Sequence, residues 1–354
     1  MTPAVSVYLD AWRAFAALGV MLGHVGLPWF SATGVVFPDL GHELVIVFFF
    51  LSGFVIADAT LGRNRGVIDY AAARLARMYS VVLPALALTA LAMVAARMVP
   101  ALAAAVLRDH ESARLALCAV FLQEAWFLSA SPATNSPLWS LGYEFWFYVL
   151  FGIWVYARAA RWRWGLMLAV VALVGPKVLL LLPVWLTGVA AWWLQARFEP
   201  GRLFAAAVAG VSGALLLAFW IKGWCFPGGP LAVAPWFYSG RWGSDLLLGA
   251  LFGAHVLGCG WLWKNASVPA PIERPARAAA GMTFSLYAYH YPLLVLGAAL
   301  PFYDPRQPGH VVGLALGVLG AVTLLHRFTE GRRRAWRELF FRWLSASRRS
   351  VAAS

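Results

Sequence analysis

The sequence YLDAWRAFAALGVMLGH, from Tyr8 to His24, decides how this chain must fold. Nearly all of it is apolar or small, which is typical of a helix that crosses a lipid bilayer. Asp10, Arg13 and His24 interrupt it at spacings that an α-helix brings onto one side. Arg13 and His24, for example, are eleven positions apart, which is about three full helical turns. Asp10 and Arg13 are three residues apart, and we expect them to form a local ion pair. The stretch therefore predicts a membrane helix with one polar stripe.

The composition extends this prediction to the whole chain. Of 354 residues, 62% are hydrophobic and only 12% are charged, which is too apolar for a soluble protein. Several apolar runs are long enough to cross about 30 Å of hydrocarbon. We therefore predict an all-α, polytopic transmembrane helical bundle in a lipid bilayer, whose first apolar run stays as the first span rather than being cleaved as a signal peptide.

The positions of the basic residues explain the formal net charge of +13. They fall between apolar runs and in the C-terminal tail, as expected for the cytoplasmic side of a membrane protein, so no nucleic acid is expected as a partner. Cys118, Cys225 and Cys259 are too scattered for a metal motif or a disulfide framework, and no metal is expected.

Apolar runs that alternate with basic loops predict about ten crossings, with both termini in the cytoplasm. The basic stretch 62–79 is expected in the cytoplasm and the third crossing at 80–97. The segment 113–128 is short and polar, and we expect a re-entrant or half-crossing helix there, because a full crossing would place later basic residues outside. Residues 1–328 are expected to form the transmembrane domain, and 329–354 a basic cytoplasmic tail.

Three ionisable residues lie deep in the predicted spans. The helical rise places His24 about 24 Å above residue 8 and Glu144 about 9 Å below the outer surface, so both lie at a similar depth. A carboxylate there would orient the imidazole as a general base needs, whereas the alternative is a structural hydrogen bond between packed helices. His290, between two tyrosines, either lines the same cavity or bonds to a neighbouring helix.

Arg74 and Arg77 are three residues apart, and Tyr79 follows them. Two guanidinium groups on one helical face suit phosphates, and an aromatic ring nearby suits a purine. A phosphorylated nucleotide carrier arriving from the cytoplasm fits these residues, although the positive-inside rule alone also places arginines there.

Three further positions have both a structural and a functional interpretation. Ser52, followed by Gly53, interrupts a run of phenylalanines and permits either close helix packing or the approach of a ligand. Trp139 suits an interfacial aromatic belt and is also a candidate for substrate contact. Asp10 and Arg13 either fix the depth of their helix or face the entrance for a donor.

Five motifs occur in order along nearly the whole chain. They are YLDAWRAFAALGVMLGH at 8–24, FFFLSGF at 48–54, ARLARMY at 73–79, PLWSLGYEFWFY at 137–148 and FSLYAYHYP at 284–292. Together they resemble membrane acyltransferase family 3, the integral-membrane O-acyltransferases that modify bacterial surface polysaccharides and related glycans. The resemblance implies an acyl donor, usually acetyl-CoA, taken from the cytoplasmic side of the bacterial inner membrane, and a hydroxyl acceptor on the outer side.

The resemblance also implies roles for single residues. His24 matches a catalytic histidine, Arg13 an essential arginine, Arg74 and Arg77 contributors to donor binding, and Glu144 an acidic residue of the tryptophan-bearing motif. Two positions depart from the family pattern. Residue 46 is isoleucine where an acidic residue is common, and residue 80 is serine where proline is usual. These departures concern the acceptor more than the reaction class.

From the residues and the resemblance together we expect an O-acyltransferase that moves an acyl group, most often acetyl, from acetyl-CoA or another acyl-CoA to a carbohydrate hydroxyl. His24 would deprotonate the hydroxyl or briefly accept the acyl group, with Glu144 orienting it. The alternative is a transporter or flippase for a glycan or lipid-linked precursor, which the lack of a convincing internal repeat disfavours. The sequence carries no signal of the oligomeric state.

Overall fold

The structure is a computed structural model that describes residues 1–34, 40–62, 66–222 and 233–353, so Cys225 lies outside the described residues. Within these ranges there are helices and no β-strand, which confirms the all-α prediction. The α-helices are α1 Pro3–Val25, α2 Gly41–Leu61, α3 Val67–Ala96, α4 Pro100–Val106, α5 Glu111–Ala119, α6 Trp139–Tyr156, α7 Ala160–Val174, α8 Pro176–Leu180, α9 Leu182–Arg197, α10 Arg202–Lys222, α11 Trp242–Leu262, α12 Ala270–Gly281, α13 Thr283–Ala298, α14 Pro308–Phe328 and α15 Arg333–Ala353. Three short 3₁₀ helices are Ala133–Leu138, Phe237–Ser239 and Glu330–Arg332.

Eight stretches in the described part of the chain are long and apolar enough to cross a membrane. They are α1, α2, α3, α6 with the 3₁₀ helix before it, α8 with α9, α10, α11, and α14 with α15. The other two predicted crossings form α7 and α13, which have 15 and 16 residues and are shorter than a typical span of about 20. The chain is therefore a polytopic helical membrane protein, as the sequence predicts.

The segment 113–128 does not form a helix of crossing length. Its helical part ends with α5 at Ala119, and Phe121 and Trp126 then adopt left-handed backbone angles, with φ of 59° and 52°. Gln123 is buried in the turns that follow and donates from Nε2 to the carbonyl of Leu138 at 2.8 Å. This agrees with the expectation of a half helix.

Helix α3 begins at Val67, thirteen residues before the predicted start of the third crossing at residue 80. The residues from 67 to 79 are mostly good helix formers without glycine or proline, and Gly66 precedes them. At 30 residues the helix is about 45 Å long, more than a bilayer core needs. Arg74 and Arg77 therefore lie on a helix that continues without a break into the apolar run.

The chain divides into two compact units. The first consists of Met1–Ala16, His42–Asn64 and Gly175–Gly281. The second consists of Ala17–Gly41, Arg65–Val174 and Met282–Ser354. The boundary falls inside α1, so the first residues of this helix belong to one unit and His24 to the other.

In the first unit, α11 packs against α9 and α10, and α2 approaches α9 very closely. A Cβ atom at Gly53 would lie 2.0 Å from the carbonyl oxygen of Trp185, and one at Gly188 2.1 Å from that of Phe50. Only glycine permits this approach, since any side chain at either position would push the helices apart.

In the second unit, α3 packs against α13 and α15, and α13 packs against α14. Asn135, in the 3₁₀ helix before α6, joins two of these helices. Its Nδ2 donates to Thr89 Oγ1 at 3.0 Å and to the carbonyl of Ala288 at 3.1 Å. These buried bonds fix α6 and α13 beside α3, and these three helices carry most of the candidate site.

Candidate functional site

Two histidines form the polar centre of the second unit. Nδ1 of His24 lies 2.9 Å from Nε2 of His290, and their rings stack with centroids 5.1 Å apart at an angle of 25°. His290 is fully buried, whereas His24 is only partly buried. The sequence left open whether His290 lines the same cavity as His24 or bonds to another helix, and the structure shows that it bonds to His24 itself.

The hydrogen bonds define which nitrogen of His24 is free to act as a base. Nδ1 of His290 lies 2.9 Å from the carbonyl oxygen of Leu286, which can only accept, so this nitrogen carries the proton. In a neutral imidazole Nε2 of His290 is then an acceptor, and Nδ1 of His24 donates to it. His24 is left with an unprotonated Nε2, the nitrogen of this ring that can act as a base.

Aromatic side chains surround the histidine pair. The ring of Tyr291 meets His24 edge-on at 5.1 Å, and Phe30 packs against Tyr291 at 5.6 Å. Tyr303, in the loop after α13, donates its hydroxyl proton to the carbonyl of Phe30. Partial burial raises the pKa of Tyr303 to about 12, so it remains a donor at neutral pH. Tyr291 and Phe30 thus form an aromatic cluster on one side of His24.

A cluster of two arginines forms the second part of the site. The guanidinium of Arg74 lies over the rings of Tyr70 and Tyr148 at 5.8 and 5.7 Å, and that of Arg77 over Phe284 at 4.9 Å. The Nε atoms of both arginines are buried without a hydrogen-bond partner in the described part of the chain. Stacked arginines with unused donors are suited to an anionic ligand.

Glu144 belongs to this arginine cluster. Tyr148, one turn further along α6, donates its hydroxyl proton to the carboxylate of Glu144, whose charge acts on Arg77. The expected partnership of Glu144 with His24 is not formed in the described part of the chain, where His290 holds the imidazole instead. Depth along a helix can be read from the sequence, but the direction in which each residue points across the bundle cannot.

Helix α13 carries residues of both parts of the site. Phe284, under Arg77, and His290, bonded to His24, are six residues apart, which is about 9 Å along the helix axis. Between them Tyr287 bonds to Ser140 of α6, with 2.7 Å between the hydroxyl oxygens. A ligand whose anionic end lies at the arginines needs only a short arm to reach the histidines.

A pocket of about 420 Å³ adjoins Arg74 between α3, α6 and α7. Its walls are mainly aromatic and aliphatic, and include Tyr70, Tyr148, Phe145 and Tyr156. Gly152 makes room for the ring of Tyr70 in this wall, because a Cβ atom there would lie 2.7 Å from Cε1 of Tyr70. The pocket is suited to an aromatic or apolar part of a ligand with its charge on Arg74.

Two other predicted binding residues also lie in the second unit. Tyr79 donates to the carbonyl of Ala119 at 3.2 Å and packs against Phe121 and Phe340, so the rings beside Arg74 are those of Tyr70 and Tyr148 instead. Trp139 is buried at the start of α6.

The remaining predicted residues belong to the first unit. The ion pair between Arg13 and Asp10 is confirmed at 3.1 Å, and Arg277 lies 3.6 Å from the same carboxylate. Ser52 is buried and accepts a hydrogen bond from Nε1 of Trp185 at 3.2 Å. Together with the close approach at Gly53, this bond favours the packing interpretation of Ser52.

Sequence reasoning did not single out the aromatic partners of the arginines. Tyr70 lies four residues before Arg74, and Tyr148 four residues after Glu144. Residues at this spacing are neighbours on a helix surface, so the rule that pairs positions i and i+4 was the available signal. Phe284, which comes from another helix, had no such signal.

The fold and the site define a multi-pass membrane protein with a buried histidine pair and an arginine cluster in one compact unit. A family described as "Acyltransferase domain", acyltransferase family 3, matches residues 6–327. Because this match covers most of the chain, the protein belongs to acyltransferase family 3 and is an acyltransferase of the membrane. No curated protein and no solved structure matches it.

Proposed function

We propose that the protein transfers an acyl group, most often acetyl, from acyl-CoA to a hydroxyl of a cell-surface or exported carbohydrate. The observation that carries the proposal is the unprotonated Nε2 of His24, whose imidazole is fixed by His290 in the same unit as the arginine cluster. The donor arrives from the cytoplasmic side of a bacterial plasma membrane and the acceptor from the outer side.

The arginine cluster supports a phosphorylated donor. Guanidinium groups form paired, charge-assisted hydrogen bonds with phosphates, and the two buried Nε atoms have no other partner in the described part of the chain. The aromatic pocket beside Arg74 offers a surface for the adenine ring. With the phosphates at Arg74 and Arg77, the pantetheine arm extends along α13 toward His24.

His24 supports the transfer itself. Its Nε2 takes the proton of the acceptor hydroxyl while the oxygen attacks the thioester carbonyl carbon. The new C–O bond forms, the C–S bond breaks, and the proton on Nε2 passes to the departing thiolate of CoA. Throughout, Nδ1–H of His24 donates to His290, which stabilises the imidazolium and keeps Nε2 directed at the substrates.

Acyl transfer is favoured over the alternative function of a transporter or flippase. An imidazole whose Nε2 is unprotonated and whose orientation is fixed by a second histidine is suited to general-base catalysis. Membership of an acyltransferase family also supports catalysis. Movement of a glycan without any acyl donor would be the result that favours the carrier.

The proposal is tested with the purified protein in lipid nanodiscs. Acetyl-CoA is added with and without an extract of surface glycans, and free CoA thiol is measured together with the mass of the glycans. We expect thiol release that depends on the acceptor, and acetylated glycan as the product. Failure of the protein to bind or consume any acyl-CoA would overturn the donor assignment.

The His24→Ala variant tests the role of the histidine. His255→Ala is the matched control, because His255 is also a partly buried histidine of a membrane helix, where its Nδ1 lies 3.0 Å from the carbonyl oxygen of Ala209. We expect acylation to be lost in the first variant and retained in the second, with both inserted at wild-type levels. Full acylation by His24→Ala would refute the assignment.

A further inference from the structure

The C-terminal helix α15 brings a further arginine to the arginine cluster. We propose that Arg333, the first residue of α15, contributes to the binding of the CoA donor and contacts the phosphate nearest to the solvent, the 3′-phosphate of the adenosine. The proposal rests on the donor assignment made above. The basic tail would then take part in substrate binding, in addition to its expected attraction to the membrane surface.

The tail is anchored at three points around Arg333. Glu330 accepts hydrogen bonds from the backbone N–H and the hydroxyl of Ser285 at 3.1 and 2.8 Å, at the start of α13. Further along, Arg337 donates to Asp69 of α3 at 2.7 Å. The ring of Phe340 packs against Tyr79 with centroids 5.9 Å apart. The backbone of residue 333 is therefore held against α3 and α13 rather than free.

This anchoring places Arg333 beside the cluster. Glu330 is bonded to Ser285, whose neighbour Phe284 lies directly under the guanidinium of Arg77. The charge of Arg333 interacts with that of Arg77 and with that of Glu330, and it also acts on Arg74. The Nε atoms of Arg74 and Arg77 are buried, whereas Arg333 is exposed to solvent.

The balance of charges indicates an anionic ligand. Arg77 interacts with the carboxylates of Glu144 and Glu330, and Arg333 interacts with that of Glu330. The positive charges of Arg77 and Arg333 both act on Arg74, so three guanidinium groups share two carboxylates. Like charges gathered beside apolar helices repel each other, and an anion bound among them removes that repulsion. Because the exposed member of the three is on α15, the outermost phosphate of the donor is the group that it reaches.

The family match ends at residue 327, so Arg333 lies beyond the part of the chain that the family describes. Its neighbour Arg334 lines a separate surface depression with Asp69, Arg337 and Phe341. Arg334 therefore provides a matched control, since it has the same charge at the adjacent position of the same helix.

The test is the affinity of the detergent-solubilised, full-length protein for CoA and for 3′-dephospho-CoA, measured by calorimetry. We expect Arg333→Gln to weaken CoA binding about tenfold and to leave the affinity for 3′-dephospho-CoA nearly unchanged. Arg333→Lys should restore part of the loss, because it keeps the charge without the forked donors. Thermal melting of each variant shows whether the tail remains folded.

The outcomes separate this proposal from the proposed function. If the wild-type protein binds neither compound, the CoA donor is wrong and Arg333 has no phosphate to contact. If the wild type prefers CoA and Arg333→Gln keeps that preference, only the role of Arg333 is refuted. Equal losses for Arg333→Gln and Arg334→Gln would also refute it, because they would indicate a diffuse effect of tail charge.

Discussion

Nδ1 of His24 is hydrogen bonded to Nε2 of His290 at 2.9 Å, although the two residues are 266 positions apart in the sequence. An imidazole, rather than a carboxylate, thus orients the proposed base. A neutral partner fixes the tautomer of His24 without placing a permanent negative charge in the apolar interior. It also means that the two replacements should differ in their effects, because His24 acts as the base and His290 only orients it.

Replacement of His290 tests its role as a positioning residue. His290→Phe keeps a ring of similar size but removes the acceptor for His24, and we expect kcat to fall about 10- to 100-fold with KM for the donor unchanged. His290→Gln places an amide oxygen near the lost Nε2 and should recover part of the rate. Steady-state kinetics decide the matter. A change confined to KM would show that His290 binds the donor instead.

Replacement of Glu144 distinguishes the role predicted from the sequence, as the partner of His24, from its place in the arginine cluster of the structure. If Glu144 oriented His24, its replacement would lower kcat. Because Glu144 belongs to the arginine cluster, its replacement should instead change the binding of the donor. We expect Glu144→Gln to change KM for acyl-CoA severalfold, with kcat within about a factor of two, since a buried charged contact of Arg77 is altered. A large loss of kcat at saturating donor would restore the interpretation from the sequence.

Gly152 tests the aromatic pocket beside Arg74. A Cβ atom there collides with the ring of Tyr70, whose hydroxyl donates to the carbonyl of Tyr148 at 2.7 Å. Gly152→Ala should shift this ring from Arg74 and raise KM for acyl-CoA, while binding of a fragment without adenine, such as acetyl-pantetheine, stays the same. Gly165→Ala is the control, because nothing lies within 4 Å of its added Cβ. Identical kinetics for both variants would contradict a role of the pocket.

The sequence predicts the fold class because membrane helices are specified locally. Apolar length alone identifies eight of the crossings, and polar residues at 123 and 124 identify the segment that does not cross. The sequence places the third crossing at 80–97, whereas helix α3 begins at Val67. Basic residues mark the edge of the membrane, but a helix continues beyond that edge wherever its residues favour helix formation.

The sequence predicts which residues belong to the candidate site, but not which of them contact each other. His24, Glu144, Arg74, Arg77 and His290 stand out because ionisable groups are rare in apolar runs. Which of them meet depends on how each helix is rotated about its axis, which the helical rise does not determine. The bond of His24 to His290, and of Glu144 to Tyr148, follows from that rotation.

A buried histidine–carboxylate pair that the sequence did not reveal gives a prediction about stability. In the first unit Nε2 of His42 lies 2.9 Å from a carboxylate oxygen of Asp245, and both side chains are at most 5% exposed. The second oxygen of Asp245 is buried without a partner in the described part of the chain. His42→Ala would leave this carboxylate without its imidazole and should destabilise the unit by about 3–5 kcal/mol.

The measurement for this pair is thermal unfolding in detergent, followed by the fluorescence of tryptophan. Lys264→Ala is the control, because its ion pair with Glu199 is exposed and is expected to contribute about 0–1 kcal/mol. The double variant His42→Ala with Asp245→Asn removes the unpaired charge together with its partner. It should therefore unfold at a higher temperature than His42→Ala alone, whereas an equal or lower temperature would show that the buried charge is not the source of the instability.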